Sequence, residues 1–330
     1  MTKVCIVGAG AIGSVIGGRL AHAGHAKVSA LARGETLASL RKHGWRLKLG
    51  DKIVSAPVMA HPSAGELGPQ DVVFIAVKGL ALASVASSLS PLLTENTIVV
   101  PAMNGIPWWF CERIDELQGE RLRSVDPDGS IASAIPTDHV LGCVVHGSAQ
   151  QIEPGLVEET MWQQVIIGEP FGGSSARAER LLTLLTDAGC AAVSSTDVRS
   201  EIWYKLWGNM TMNPVSALTG ATIDKILEDP LVREFCSAAM REAAEVGARV
   251  GCPIEQTPED RHAVTVKLGA FKTSMLQDVE AGRQLELDAI VTAVHEIARR
   301  LGMATPNIDA LLGMTGLFGR MRGLYPRGGN

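Results

Sequence analysis

The chain has 330 residues, 46% of them hydrophobic and 20% charged, with a formal net charge of −5. That length exceeds what one compact core usually fills, so two domains are expected. The composition excludes a disordered chain, and the acidic balance argues against nucleic-acid and anionic-membrane partners.

Apolar stretches such as Val72–Val77 are too short to cross a bilayer. Met1-Thr2-Lys3 leads at once into a strand pattern with no signal-peptide pattern, so a cytoplasmic location is expected. The six cysteines form no CxxC pair and read as buried free thiols. No His, Cys or Asp spacing suggests a metal; His22 and His25 read as solvated residues at a helix end.

In chain order, strands are expected at Val4–Val7, Lys27–Ala32, Ile53–Val58, Val72–Val77 and Thr97–Val100. Helical patterns at Ala11–Ala23 and Leu82–Leu93 lie between them. Strands alternating with helices imply an α/β fold with a parallel, doubly wound sheet of Rossmann type. Runs at Val140–Val145 and Val165–Ile167 are expected to extend that sheet. A helix at Ala176–Ala188 and a strand at Ala191–Ser194 would complete the domain. Beyond this point long helical stretches take over: Ser200–Leu218, Leu231–Val250, Arg261–Val279 and Leu285–Leu301. The expected division is residues 1–196 and 197–330, the second part all-helical, with Arg320–Asn330 frayed.

Gly8-Ala9-Gly10-Ala11-Ile12-Gly13 follows the first strand and opens the first helix. In that setting Gly8 makes a tight turn, Gly10 lets backbone approach a pyrophosphate, and Gly13 lets helix and sheet pack closely. An NAD site would place a carboxylate at the end of the second strand. Arg33 stands there instead, and a guanidinium suits a 2′-phosphate, so NADPH/NADP+ is the expected cofactor. Lys78 and Asn104-Gly105 follow strand ends, where ligands of open α/β sheets bind.

In the helical half, Lys205, Asn209 and Asn213 are spaced to share one helix face. Asparagine is a poor interior helix residue, so two beside a lysine ask for a reason. Hydride delivery to a ketone creates an alkoxide, which a partly desolvated lysine can protonate. Trp203 and Trp207 form a separate pair expected to anchor the helix. Ser274 could donate to a carboxylate and Glu286 accept from a hydroxyl, although by composition alone these are ordinary helix residues.

In order and spacing these features resemble the ketopantoate reductases (2-dehydropantoate 2-reductases). The resemblance rests on Gly8–Gly13, Arg33, Val77-Lys78, Asn104-Gly105, the Trp-x-Lys-Leu-x-x-Asn-x-x-x-Asn-Pro run ending at Pro214, and Thr273–Asp278 with Glu286 beyond. It implies NADPH-dependent reduction of ketopantoate to pantoate, a step toward pantothenate and coenzyme A. By position, Lys205 matches the family's general acid, and Asn209, Asn213 and Ser274 match substrate contacts. Asn104 would face cofactor and substrate, while Arg33, Lys78, Glu286 and, loosely, Ser148 match cofactor contacts. Residues Arg113–His139 receive no role. Open alternatives are a reductase of another branched 2-oxo acid, a β-hydroxyacid dehydrogenase, and an NADP(H)-binding sensor without turnover. A homodimer is also left open.

Overall fold

The protein is described here by a computed structural model covering residues 1–326. It divides into two compact units: Met1–Met103 with Asp128–Glu201, and Asn104–Pro127 with the chain from Ile202 onward. The boundary expected after residue 196 falls just before a helix, Val198–Thr219, within which the units divide. The first half of the chain also lends Asn104–Pro127 to the second unit.

The first unit runs β1 Thr2–Val7, α1 Ala11–Ala23, β2 Ala26–Leu31, α2 Gly34–His43, β3 Trp45–Leu49, β4 Lys52–Ala56, β5 Met59–His61, β6 Val72–Ile75, α3 Leu82–Ala86 and β7 Ile98–Pro101. After Asp128 it continues with α4 Ser130–Ala134, β8 Gly142–Glu153, β9 Leu156–Gly168, α5 Ala176–Asp187 and β10 Ala192–Ser195.

Its main sheet has the order β5-β2-β1-β6-β7, with every pairing parallel. Val4–Val7 of β1, all of β6 and Ile98–Val100 of β7 are buried and apolar, as expected of a sheet covered on both faces, whereas the edge strand β5 leaves Met59 exposed. Gly24 ends α1 in the left-handed conformation. Gly17, one turn beyond Gly13, lets α1 settle on the sheet, since a Cβ there would lie 2.8 Å from Trp45 and 2.9 Å from Ile6.

The expectation that Val140–Val145 and Val165–Ile167 extend the main sheet holds only at its start, where Val140 bridges Val99 of β7 in parallel and the Leu141 amide donates to the Val99 carbonyl at 3.0 Å. From Gly142 on, the runs belong to β8 and β9, part of a second sheet ordered β10-β9-β3-β4, with β8 antiparallel to β9. The run expected at Ile53–Val58 is β4, the antiparallel partner of β3 in that same sheet. Pro154 and Gly155, the latter at φ +72°, form a two-residue link that obliges β8 and β9 to pair antiparallel. Leu82–Leu93 is no continuous helix either: α3 is short and is flanked by 3-10 turns at Gly79–Ala81 and Ser90–Leu92.

In the second unit, α6 is Val198–Thr219, α7 Ile223–Glu228, α8 Pro230–Arg249, α9 Pro258–Thr265, α10 Ser274–Glu280, α11 Ala293–Arg300 and α12 Pro306–Met321. Two helices start with strong caps. The Asp229 carboxylate accepts from the Leu231 and Val232 amides, and Thr257 with Asp260 forms a capping box. The single helix expected over Arg261–Val279 is broken: Gly269, at φ +63°, ends the first piece, and Thr273 caps the next. Leu285–Leu301 opens with a π-turn, Asp288–Thr292, before α11.

The fraying expected from Arg320 onward is also corrected. Arg320 and Met321 close α12, Leu324 is buried, and the Leu285 amide donates to the Leu324 carbonyl at 2.8 Å. Arg327–Asn330, part of that expectation, lie outside the described residues.

The segment Asn104–Pro127 is held by α11. Glu296 accepts from the Arg123 and Ser124 amides at 2.9 and 2.8 Å and pairs with Arg300. Burial pushes the Glu296 carboxyl up, but the bonds from Ser124 and Arg123 and the Arg300 charge outweigh it and leave it below the usual carboxylate value. The stretch from Arg113 to Pro127, given no role by the sequence, is thereby tied to the helical unit at Arg123 and Ser124.

Candidate active site

In the first unit the glycines divide the labour at the turn from β1 to α1. Gly8 has φ +95°, and a Cβ on it would lie 2.7 Å from Val77 and 2.9 Å from the Ala76 carbonyl oxygen. A Cβ on Gly13 would lie 2.1 Å from the Gly8 carbonyl oxygen, so turn and helix touch through that residue. Gly10 is the opposite case. It caps α1 with no side-chain bond to the free amides, and a Cβ there would meet nothing within 4 Å. Crowded at Gly8 and Gly13 but open at Gly10, the turn leaves room for a phosphate beside the helix N-terminus.

Arg33 and Lys78 reach the same end of the sheet, because β2 and β6 flank β1. Arg33 is exposed and precedes α2 in extended conformation. Lys78 is likewise exposed and begins the 3-10 turn Gly79–Ala81. Ser148 is not at these strand ends. It lies on β8, half-buried, between shifts of the β8–β9 register, with its Oγ accepting from Thr160 at 3.1 Å.

In the second unit the Lys205 ammonium donates to Asn104 Oδ1 at 2.8 Å. Sequence spacing placed Lys205 beside Asn209 and Asn213 but gave no sign of this partner, 101 residues away. Gly105 explains how Asn104 is held. At φ +87°, it packs so closely on the π-turn that a Cβ would lie 2.5 Å from the Ala289 carbonyl oxygen. The next amide, of Ile106, donates to that same oxygen at 2.8 Å.

The helix carrying Lys205 is fixed from two sides. Trp203 and Trp207 are both buried. Their indoles donate to the Ala243 and Met240 carbonyls of α8 at 3.2 and 2.7 Å. This is the anchoring expected from their spacing. On another side, the Arg261 guanidinium lies 4.6 Å from the Tyr204 ring centroid and donates to its hydroxyl at 3.1 Å, while Tyr204 donates to Gln256 at 2.8 Å. This clamp on the residue before Lys205 escaped sequence reading, which had no means of bringing α9 beside α6.

Lys205 is thus half-exposed on a rigid helix, with Asn209 half-buried one turn on and Asn213 buried beyond it. The arrangement offers one ammonium and two amides along a single face, able to hold a small polar ligand and give its oxygen a proton. Ser274 is exposed at the start of α10, and no bond joins it to the Lys205 face. Glu286 is half-buried between Leu285 and Leu287, both fully buried.

The chain is similar to known proteins along nearly its whole length. Residues 4–171 match the family model described as ketopantoate reductase PanE/ApbA, and 197–317 match the model of its C-terminal part. The chain is 40% identical to a 2-dehydropantoate 2-reductase of Mesorhizobium japonicum, over 98% of this chain and 99% of that one. A crystal structure of a candidate ketopantoate reductase from Ralstonia solanacearum MolK2 superposes with a TM-score of 0.94 at 53% identity, covering 98% and 100% of the two chains. A ternary structure of D-mandelate dehydrogenase with NADH and anilino(oxo)acetate shares the fold, with a TM-score of 0.82 at 21% identity over 98% and 99%. The two family models between them take in both the glycine turn and the Lys205 helix, so the chain belongs to the ketopantoate reductase family of oxidoreductases.

Proposed function

We propose that this protein reduces 2-dehydropantoate to pantoate with NADPH, and that Lys205 is the general acid. The observation that carries the reading is the 2.8 Å bond from the Lys205 ammonium to Asn104, on a helix face shared with Asn209 and Asn213. NADPH, when bound, supplies the hydride for the 2-oxo carbon. The residues suited to hold it are Gly8, Ala9, Gly10, Ala11, Ile12 and Gly13 at the diphosphate and Arg33 at the 2′-phosphate, with Lys78, Asn104, Ser148 and Glu286 as further contacts. Space at Gly10 and the uncapped start of α1 support that fit.

Asn104 aims the ammonium, and Lys205 passes a proton to the carbonyl oxygen as negative charge builds there. Its positive charge stabilises the developing alkoxide before the proton moves. Asn209, Asn213 and Ser274 are assigned to the carboxylate and hydroxyl oxygens of the substrate. The family's chemistry and the pairing of one cation with amide donors support a small 2-oxo acid.

The test is loss of NADPH absorbance during incubation with a panel of 2-oxo acids that includes ketopantoate. Ketopantoate should give the highest kcat/KM. Faster turnover of another 2-oxo acid would move the substrate assignment, and binding of NADPH without any oxidation would make the protein a sensor.

A further inference from the structure

The end of the chain is tied to the segment that positions Asn104. Beyond α12 the backbone turns back: the Leu324 amide donates to the Gly319 carbonyl, and the Leu285 amide donates to the Leu324 carbonyl, each at 2.8 Å. Gly319 makes the turn possible, since a Cβ there would lie 2.7 Å from the Tyr325 Cβ. The Tyr325 hydroxyl then donates to the Asp288 carboxylate, the first residue of the π-turn. Thr292, the last residue of that turn, donates to the same carboxylate oxygen at 3.4 Å. One turn residue inward, Ala289 is the residue that Gly105 packs on and that accepts from Ile106.

We propose that Tyr325 and Asp288 are positioning residues: their bond straps the chain end over the π-turn and thereby sets where Asn104 meets Lys205. This rests on the reading of Lys205 and Asn104 as active-site groups. A π-turn closes fewer well-aligned hydrogen bonds than an α-helical turn and often stands beside functional residues. Its geometry therefore depends on outside support, which the strap provides at Asp288, where the turn begins and where Thr292 closes back on the same carboxylate. Burial pushes the Asp288 carboxyl above its ordinary value, opposed by the bonds from Tyr325 and Thr292. Burial, and next the Asp288 bond, push the Tyr325 phenol up as well, so its proton stays in place to donate.

Tyr325→Phe removes one oxygen and keeps the ring. It should lower kcat by about tenfold, because displacing a reacting group by a fraction of an ångström costs on that order, while the melting temperature stays within a few degrees. Asp288→Ala should give the same loss by a different route, whereas Asp288→Asn, which keeps an acceptor for Tyr325, should stay within about threefold of wild type. In an Asn104→Ala background Tyr325→Phe should cost less than about twofold, since the strap would have nothing left to place. An equal loss in both backgrounds, or a Tyr325→Phe enzyme within twofold of wild type, would overturn the proposal. Amide exchange at Ile106 supplies a readout independent of turnover and should be at least about tenfold faster in Tyr325→Phe. If the wild-type chain turned over no 2-oxo acid, the functional reading would fall while the Ile106 result still decided the strap. Unchanged exchange there would overturn it.

Discussion

Two alanine substitutions within one turn should fail in opposite ways. On Gly13 a methyl group would lie 2.1 Å from the Gly8 carbonyl oxygen, 3.0 Å from Ile6 and 3.1 Å from Ala76. The nearest of these is backbone and cannot rotate away, so α1 must retreat by roughly 1 Å. Overpacking of this kind costs about 1–3 kcal/mol, here toward the upper end. The better helix propensity of alanine offsets up to about 1 kcal/mol of that. A net loss of about 2 kcal/mol corresponds to a melting temperature lower by roughly 4–8 °C. Gly10 differs, because its φ of −80° suits alanine and nothing lies within 4 Å of the added carbon. Stability should change by about 1 kcal/mol or less. The NADPH Kd should nonetheless rise at least about tenfold, because the methyl fills the space through which a pyrophosphate would approach. Thermal melts and fluorescence titration with NADPH separate the two outcomes. A Gly10→Ala protein that binds NADPH within twofold of wild type, or a Gly13→Ala protein that melts with it, would refute the reasoning.

Other expectations follow from the same geometry. Gly247→Ala would place a carbon 2.2 Å from Trp203 Nε1 and 2.7 Å from the Cys252 carbonyl oxygen. It should destabilise by about 2 kcal/mol, whereas Gly313→Ala, with open space around it, should be neutral or slightly stabilising in a melt. Arg33→Ala should weaken NADPH by about 1.5–3 kcal/mol while barely changing NADH, and equal losses for the two cofactors would remove the 2′-phosphate assignment. The Glu169 carboxyl is held below its ordinary value, first by the Arg177 hydrogen bond, with burial opposing and Ser175 adding to the lowering. A depressed folded value contributes stability above the unfolded pKa and loses it as pH falls through the folded one. Glu169→Gln should therefore flatten the acid side of the stability profile below about pH 4.5, and an unchanged slope would show that the pair contributes nothing there.

What could be read from the chain alone follows the range of the interactions. The glycine turn and α1 are local: Gly8, Gly10, Gly13 and the closing Gly24 act within one strand–turn–helix unit, so their spacing carries the geometry. The lysine face is local as well, since a helix fixes where Lys205, Asn209 and Asn213 point. The second sheet was not legible, because β3 and β9 pair across more than a hundred residues and nothing in Trp45–Leu49 names Leu156 as its neighbour. The break at Gly269 carried a local signal, and hydrophobic periodicity on both sides masked it. Asn104 was singled out as a strand-end residue, but its bond to Lys205 depends on Gly105 meeting Ala289, a tertiary contact with no periodic trace. The chain end reads as polar and glycine-rich, yet Leu324 and Tyr325 pack back on Leu285 and Asp288.

The central claim is that Lys205 donates the proton, and the turnover of Lys205→Ala with ketopantoate and NADPH tests it most directly. Kcat should fall by about 10²–10⁴-fold, the range of a positioned acid. NADPH binding should persist, because the glycine turn and Arg33 do not involve Lys205. Turnover within a few-fold of wild type would contradict the claim and place the donor elsewhere, with Glu286, acting through a water, the next residue to test.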